Sequence, residues 1–475
     1  MVQVFKLVGP PGTGKTTALL SYLEKDLETY DFNDIAFVSF TKRGTYEGVS
    51  RVRKKYEIKE WWRELKYFRT LHSLCFRETK MQAANLMTGW AEKQFRELMG
   101  HAGETEFQRV YLQLAQLQSV NPDYFDALAA QGKFDTEAVD LYIKMYKRFK
   151  KVNKIKDFND LFTEYLEQGS PLPVKVAYID EAQDLTPIHW QVARMLFANC
   201  EKIYLAGDAD QSIYTWAGAD VRQFVSVPAD RILGKSYRLP RKIWEVADRV
   251  ARQIRIRDKD QTFTDNGDLG EVRIVPNFDA VEYHPGESTF VLLRTFQSVR
   301  RVERDLWLRG IPYDGEKVKY PYKTLKNAIR YIKLAQQSQD PDATPGEQRV
   351  ATEAVRKSKL FSPDYDPAKP WESQIKDTDL ALYATQLLSK TNKLPSFPDI
   401  DIKSIHTAKG AEADHVVVYL GFTKAVEETY NIDPDSELRC LYVAVTRARK
   451  RLTIVLPQGH RGYPVKLLTE DTLDV

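Results

Sequence analysis

Short apolar runs alternate with amphipathic stretches along most of this chain. Val2 to Val8, Ile35 to Phe40, Val174 to Ile179 and Lys202 to Ala206 are too short for helices and nearly continuous in apolar character, which predicts buried strands. Ala18 to Leu23, between the first two, has helical spacing. Strand, helix and strand joined by short loops predict a parallel α/β sheet, with ligands at the carboxyl ends of its strands. From about Met81 to Lys156 the period becomes 3.6 and glycine is sparse, predicting a helical insertion. Leu233 to Arg294 reads as a second α/β lobe. Tyr320 to Pro398 reads as helical or irregular, with the Gln-, Asp- and Pro-rich Gln336 to Glu347 as an exposed loop. Strand pattern resumes at Ile400, runs through His415 to Leu420 and ends with Arg451 to Leu456. The expected division is a first lobe of 1–75 and 156–233 around an insertion at 76–155, then a second lobe of 234–318 and 398–475 around a smaller insertion at 319–397. The acidic tail from Thr469 is expected to fray.

Composition narrows the class without naming a function. A chain of 475 residues, 43% hydrophobic and 29% charged, has room for about two to four globular domains. No apolar run approaches the roughly 18 residues of a membrane span, and with a strand expected directly after Met1 no signal peptide is expected. Cys75, Cys200 and Cys440 are scattered and odd in number, so reduced thiols in a cytoplasmic, membrane-free protein are expected. His72 with Cys75 lacks the second ligand pair of a zinc site. The net charge of +4 is close to balance, so any nucleic-acid surface must be local. Two stretches are candidates. Arg51 to Arg69 interleaves cations with Trp61, Trp62, Tyr67 and Phe68, which suits a single strand and equally a solvated helix with core aromatics. Leu141 to Lys156 carries Lys144, Lys147, Arg148, Lys150, Lys151, Lys154 and Lys156 with no acid, a basic face or a solvated helix.

The sharpest chemistry is Gly9-Pro10-Pro11-Gly12-Thr13-Gly14-Lys15-Thr16, followed by Thr17, between the first strand and the first helix. Glycines there let successive amides point at phosphate oxygens and the helix N-terminus adds its dipole. Lys15 reaches the β and γ phosphates and the Thr16 hydroxyl ligates Mg²⁺. The chain is therefore expected to bind a nucleoside triphosphate. Asp180-Glu181-Ala182-Gln183-Asp184 ends a buried strand, where paired carboxylates are costly unless they meet a cation. Asp180 is placed to hold Mg²⁺ and Glu181 to take a proton from the attacking water. Gly207 to Trp216 puts Gln211 at another strand tip, with Tyr214 and Trp216 just beyond, an order that could couple a phosphate sensor to a stacking surface but is only suggestive by itself. Thr41-Lys42-Arg43-Gly44-Thr45 is a polar tip that on its own reads as an ordinary loop.

In this order the segments resemble the superfamily 1 DNA helicases of the UvrD/PcrA/Rep type. Gly9 to Thr16 is similar to their motif I, Phe40 to Arg43 to motif Ia, Phe68 to Leu74 to motif Ib and Asp180 to Asp184 to motif II. Asp157 to Leu161 resembles the segment that precedes their Asp-Glu strand. Gly207 to Ala219 resembles motif III, Ser236-Tyr237-Arg238 motif IV, Ser404 to Glu412 motif V and Glu437 to Arg449 motif VI. The resemblance implies an α/β fold of two RecA-like P-loop motor domains with parallel sheets, each carrying a mainly helical insertion. It implies an ATP hydrolase and DNA helicase using ATP and Mg²⁺, with single-stranded and tailed duplex DNA as partners, in replication, repair or recombination, acting as a monomer beside other repair or replication proteins. Polarity would be 3′→5′.

Residue roles follow from the same resemblance. Lys15, Asp180, Glu181, Gln211, Arg238 and Arg447 would be catalytic, with Thr16 and Asp180 on Mg²⁺. Gln211 would contact the γ-phosphate and attacking water. Arg238 and Arg447 would serve as arginine fingers from the second lobe, worth about 10³–10⁵ in rate, so that hydrolysis depends on lobe closure. From its neighbours alone, Arg447 also reads as an ion-pair residue. Tyr237 would stack on the adenine, and Gly410 and Glu412 would complete the nucleotide site, Glu412 at the ribose. Phe40, Thr41, Lys42, Thr70, His72, Tyr214, Trp216, Arg294 and His406 would line the path of single-stranded DNA. Three departures stand out: no upstream glutamine segment before Gly9, Ala217 after Trp216, and Ala411 after Gly410. Two other functions remain open on the residues: a translocase that strips proteins from DNA with little unwinding, and a nucleotide-switched DNA-binding scaffold.

Overall fold

The computed structural model describes residues 2–79, 81–99, 106–258, 260–390 and 396–469, so most of the expected acidic tail lies outside the described residues. Among them the chain forms two compact units, each built on its own sheet. The first comprises Met1–Arg238, Arg252–Asn266 and Asp435–Arg439, and the second Leu239–Ala251, Gly267–Pro434 and Cys440–Val475.

The sheet of the first unit contains β1 (Gln3–Val8), β2 (Ile35–Ser39), β3 (Phe68–Arg69), β4 (Val176–Asp180), β5 (Lys202–Gly207) and β6 (Arg231–Ile232). Their order is β3-β2-β4-β5-β1-β6 and every pairing is parallel. Both faces are covered, which explains the unbroken apolar runs. Ala36, Val38, Ala177 and Ile179 enter one buried cluster, while Ile35, Phe37, Val176 and Tyr178 enter another on the opposite face. Lys6 breaks the pattern in the middle of β1. It is 1% exposed, and its ammonium donates to Asp258 at 2.5 Å and to the carbonyls of Phe224 and Val227 at 2.8 and 2.9 Å.

The stretch expected as a helical insertion is helical at Gly89–Leu98, Glu106–Val120, Pro122–Ala130 and Thr136–Asn153, and has a core of its own around Phe95, Tyr142, Tyr146 and Phe149. Its basic run divides in two. Lys150 is nearly buried and spans Asp157 and Asp160 at 2.7 and 2.6 Å, and Lys156 pairs with Glu164. Lys144, Lys147, Arg148 and Lys151 are exposed at helical spacing on the outer face. In the other basic stretch three cations are ion-paired, Arg51 with Glu47, Lys55 with Glu24 and Arg63 with Glu60, and Trp61 packs against the core.

The second unit carries β7 (Glu271–Val275), β8 (Thr289–Leu293), β9 (Tyr313–Gly315), β10 (Ile400–Ser404), β11 (Ala413–Tyr419) and β12 (Ala448–Val455). The order is β7-β12-β11-β8-β10-β9, again wholly parallel. The region from Tyr320 contains helices Tyr322–Ser338, Pro345–Arg356 and Thr378–Lys390. The loop expected over Gln336 to Glu347 is therefore shorter, because Thr344 and Glu347 form a capping box that starts the second helix early.

Candidate nucleotide and nucleic-acid site

The strand order of the first sheet explains why distant segments meet. Val8 of β1 lies opposite Gly207 of β5, and the Gly9 amide donates to the Gly207 carbonyl at 3.0 Å. The glycine loop after β1 therefore stands beside the Gln211 turn after β5, and the Asp180–Glu181 pair at the end of β4 follows next along the same carboxyl edge.

Helix α1 (Lys15–Asp26) starts at Gly14 with no side chain capping it, leaving its first amides to an anion. A Cβ on Gly9 would come within 2.0 Å of the Lys15 chain, so only glycine fits where Lys15 folds across the loop and donates to the Gly9 carbonyl at 2.6 Å. Gly12 has φ +71°, and its missing Cβ would meet Arg238 Cβ at 2.4 Å. That crowding marks a close crossing. Tyr237 donates its amide to the Gly12 carbonyl at 2.8 Å, and the Ser236 hydroxyl donates to the Pro11 carbonyl at 2.8 Å. Tyr237 and Arg238 are thus fixed against the phosphate loop. Arg238, expected on the second lobe, belongs to the first unit. The reason is this crossing, which local sequence pattern does not reveal. Tyr237 is 73% exposed.

Thr16 Oγ1 donates to Asp180 Oδ2 at 3.0 Å, bringing a hydroxyl and a carboxylate oxygen together as hard donors. Burial, then the charge of Glu181, push the Asp180 carboxyl up to about 7, while Lys15 and Thr16 pull the other way. Such a carboxyl is short of positive charge, which is what a cation beside Thr16 would supply. Among the described residues no three side chains cluster as metal ligands, and Mg²⁺ needs only one or two with water and phosphate oxygens. Glu181 has φ 56°, a left-handed conformation costly for a side chain of this kind. Gln183 Nε2 donates to its Oε2 at 2.6 Å and so fixes the carboxylate.

Along the same edge runs an aromatic row. Helix α2 (Lys42–Lys55) is capped by Thr41, whose Oγ1 accepts from the Gly44 amide at 3.0 Å; the side chain of Lys42 lies outside the described residues. Phe40 packs 5.6 Å from Tyr214, which packs 6.4 Å from Trp216, 47% exposed. His72 lies 4.2 Å from Phe162 and 5.5 Å from His189, and Thr70 caps the helix that carries it. Burial, then His72, lower the His189 imidazole to about 3, so His189 is a neutral wall of this row. Phe158, Phe162 and His189 were not expected here; an exposed aromatic beginning a helix after Asp157 was the one available signal.

The second unit separates its candidates. Arg294 follows β8 and His406 follows β10, both at the carboxyl edge, whereas Glu412 precedes β11 and Arg447 precedes β12 at the amino edge. Gly410 lies in the short connection between the edges. Arg447 is 1% exposed; its guanidinium donates to the Val443 carbonyl at 2.9 Å and to Thr446 Oγ1 at 3.0 Å. Glu412 pairs with Arg449 at 3.5 Å.

A glycine loop, a carboxylate pair and a polar turn on the carboxyl edge of a parallel sheet, with a second parallel sheet in its own unit, define an α/β protein of the P-loop class. Residues 2–231 match the UvrD/REP helicase N-terminal domain, and residues 369–459 match the UvrD-like helicase C-terminal domain. The chain belongs to the UvrD/PcrA-type superfamily 1 helicase family. It is 23% identical over 389 residues to ATP-dependent DNA helicase PcrA of Staphylococcus epidermidis, covering 69% of this chain and 51% of that protein. It is 25% identical over 263 residues to PcrA of Bacillus subtilis, covering 48% and 35%. The chain thus spans about half the length of the S. epidermidis relative. A solved arterivirus nonstructural protein 10 helicase is similar at a TM-score of 0.37 and 10% identity, covering 95% of this chain and 59% of that one. Among the described residues no helix is long and apolar enough to cross a membrane.

Proposed function

We propose that this protein is an ATP-driven DNA helicase that moves along single-stranded DNA, with 3′→5′ polarity carried over from the family, and separates duplexes in replication, repair or recombination. The observation that carries this reading is that the phosphate loop, the Asp180–Glu181 pair and the Phe40–Tyr214–Trp216 row occupy one edge of one sheet. Loop amides and Lys15 would hold the triphosphate, Glu181 would accept the proton of the attacking water, and Gln211 would orient that water. Arg238, against the loop, would neutralise charge on the transferring phosphoryl group; Arg447, Tyr237, Gly410 and Glu412 keep the nucleotide roles the family assigns. Thr16 and Asp180 would hold Mg²⁺, which neutralises phosphate oxygens when bound. Thr41, Lys42, Thr70, His72, Arg294 and His406 would follow the strand while Tyr214 and Trp216 stack on its bases. The division into two lobes with insertions at 76–155 and 319–397 belongs to the same proposal, as does a monomer working in the cytoplasm.

The small second insertion permits one alternative, a translocase that removes bound proteins with little unwinding. A strand-displacement assay on 3′- and 5′-tailed duplexes, with and without ATP, decides. Unwinding of the 3′-tailed duplex supports the helicase, strand-stimulated ATP hydrolysis without unwinding supports the translocase, and absence of stimulation refutes both.

A further inference from the structure

Under the turn that carries Gln211 lies a buried polar network in which Arg257 and Gln261, outside the motifs, meet residues of motifs III and VI. Asp208 is fully buried; its Oδ2 accepts from Gln211 Nε2 at 2.5 Å and its Oδ1 from Gln261 Nε2 at 2.8 Å. Asp210, equally buried, accepts from the Arg257 guanidinium at 2.7 Å. Between them, the Ala209 carbonyl accepts from Arg439 Nε at 3.0 Å. Residues far along the chain thus clamp three successive positions just before Gln211.

The direction of these bonds is what bears on Gln211. A carboxylate only accepts, so Asp208 takes the amino end of the Gln211 amide and thereby fixes its rotation. Gln261, donating to the other oxygen, keeps the Asp208 carboxylate from turning away.

We propose that Gln261 and Arg257 are positioning residues for Gln211, acting through Asp208 and Asp210 to hold its amide in the one orientation that suits the attacking water. This rests on the reading of Gln211 as the water-orienting group. Misplacing such a group by a fraction of an ångström slows the chemical step and leaves substrate binding alone.

The test measures ATP hydrolysis by the full chain at a saturating dT oligonucleotide. Gln261→Met keeps the volume and removes the amide. It is expected to lower kcat about 10-fold, with KM for ATP and affinity for the oligonucleotide within about 2-fold. Gln211→Ala with Gln261→Met is expected to be no slower than Gln211→Ala alone, because both act through one group. An unchanged kcat in Gln261→Met beside a slow Gln211→Ala would overturn the inference, as would a double variant slower by the product of both effects. A Gln211→Ala protein with normal kcat would instead remove the reading of Gln211 itself. If Gln261→Met melts early, Gln261→Glu replaces it. Its carboxyl can donate to Asp208 only when protonated, so kcat relative to the unmodified chain should rise as pH falls from about 8 to 6; a flat ratio overturns the inference.

Discussion

Gly12→Ala tests the crossing of the phosphate loop by Ser236 to Arg238. At φ +71° an alanine costs about 1–2 kcal/mol against glycine. Its Cβ would also stand 2.4 Å from Arg238 Cβ and 3.0 Å from Ser236 Oγ, so one of the two loop segments must shift by about 1 Å, an overpacking term of about 1–3 kcal/mol. Lower entropy of the unfolded chain returns about 0.4–1 kcal/mol. The net loss is about 2–4 kcal/mol, which for a unit of this size lowers its melting temperature by roughly 5–15 °C. The shift also moves Tyr237 and Arg238 from the loop, so KM for ATP rises and kcat falls by about 10–100-fold. Calorimetry and steady-state ATP hydrolysis read both effects. Arg238→Gly removes the atom in the way and should recover part of the stability of Gly12→Ala but none of its kcat. A Gly12→Ala protein that melts normally and hydrolyses ATP normally would refute the crossing.

Glu181→Gln should keep nucleotide and DNA binding while lowering turnover by about 10²–10⁴, measured by single-turnover hydrolysis; retained turnover takes Glu181 out of the reaction. Trp216→Ala should weaken binding of a fluorescent oligonucleotide by about 1–3 kcal/mol, and an unchanged titration contradicts stacking there. Asp180 and Asp210 both have carboxyls raised to about 7, by burial first and then by Glu181 and Asp208 respectively. The folded state therefore holds protons that the unfolded chain has released, so without nucleotide or divalent cation stability falls as pH rises from about 4 through 7. Asp180→Asn should flatten part of that slope in a series of melts, and an unaltered slope excludes Asp180 as its source. Lys150→Met strands Asp157 and Asp160 and should cost about 2–4 kcal/mol in denaturant unfolding; a loss under 1 kcal/mol would show the ion pairs to be solvent-screened.

The phosphate loop and the strand tips were legible because their signals are local: a few glycines at fixed spacing, or five apolar residues followed by an acid. The helical insertion was legible through its period. What escaped depends on contacts between distant residues. Nothing around Lys6 announces that Asp258 will neutralise it inside β1, and nothing around Arg257, Gln261 or Arg439 links them to Gln211. Arg238 follows the last strand of the first sheet and reads as the start of the next lobe until its backbone is seen lying on Gly12. Lys150 looked like one more cation on a basic face; the acids that claim it come after the helix ends. The aromatic row was half visible, since Tyr214 and Trp216 follow a strand tip, whereas Phe162 and His189 are helical residues whose burial only packing decides.

In the second unit, β8, β10, β11 and β12 are hydrogen-bonded side by side and largely buried, with a register shift between Ala413 and His415 where β11 meets β12. Arg294 and His406 ride on one rim of these strands and Glu412 and Arg447 on the other, with Ile405 to Glu412 as a direct covalent tie from rim to rim. The two rims therefore lie one strand length apart on a single sheet, so residues on either rim share one backbone support with those on the other.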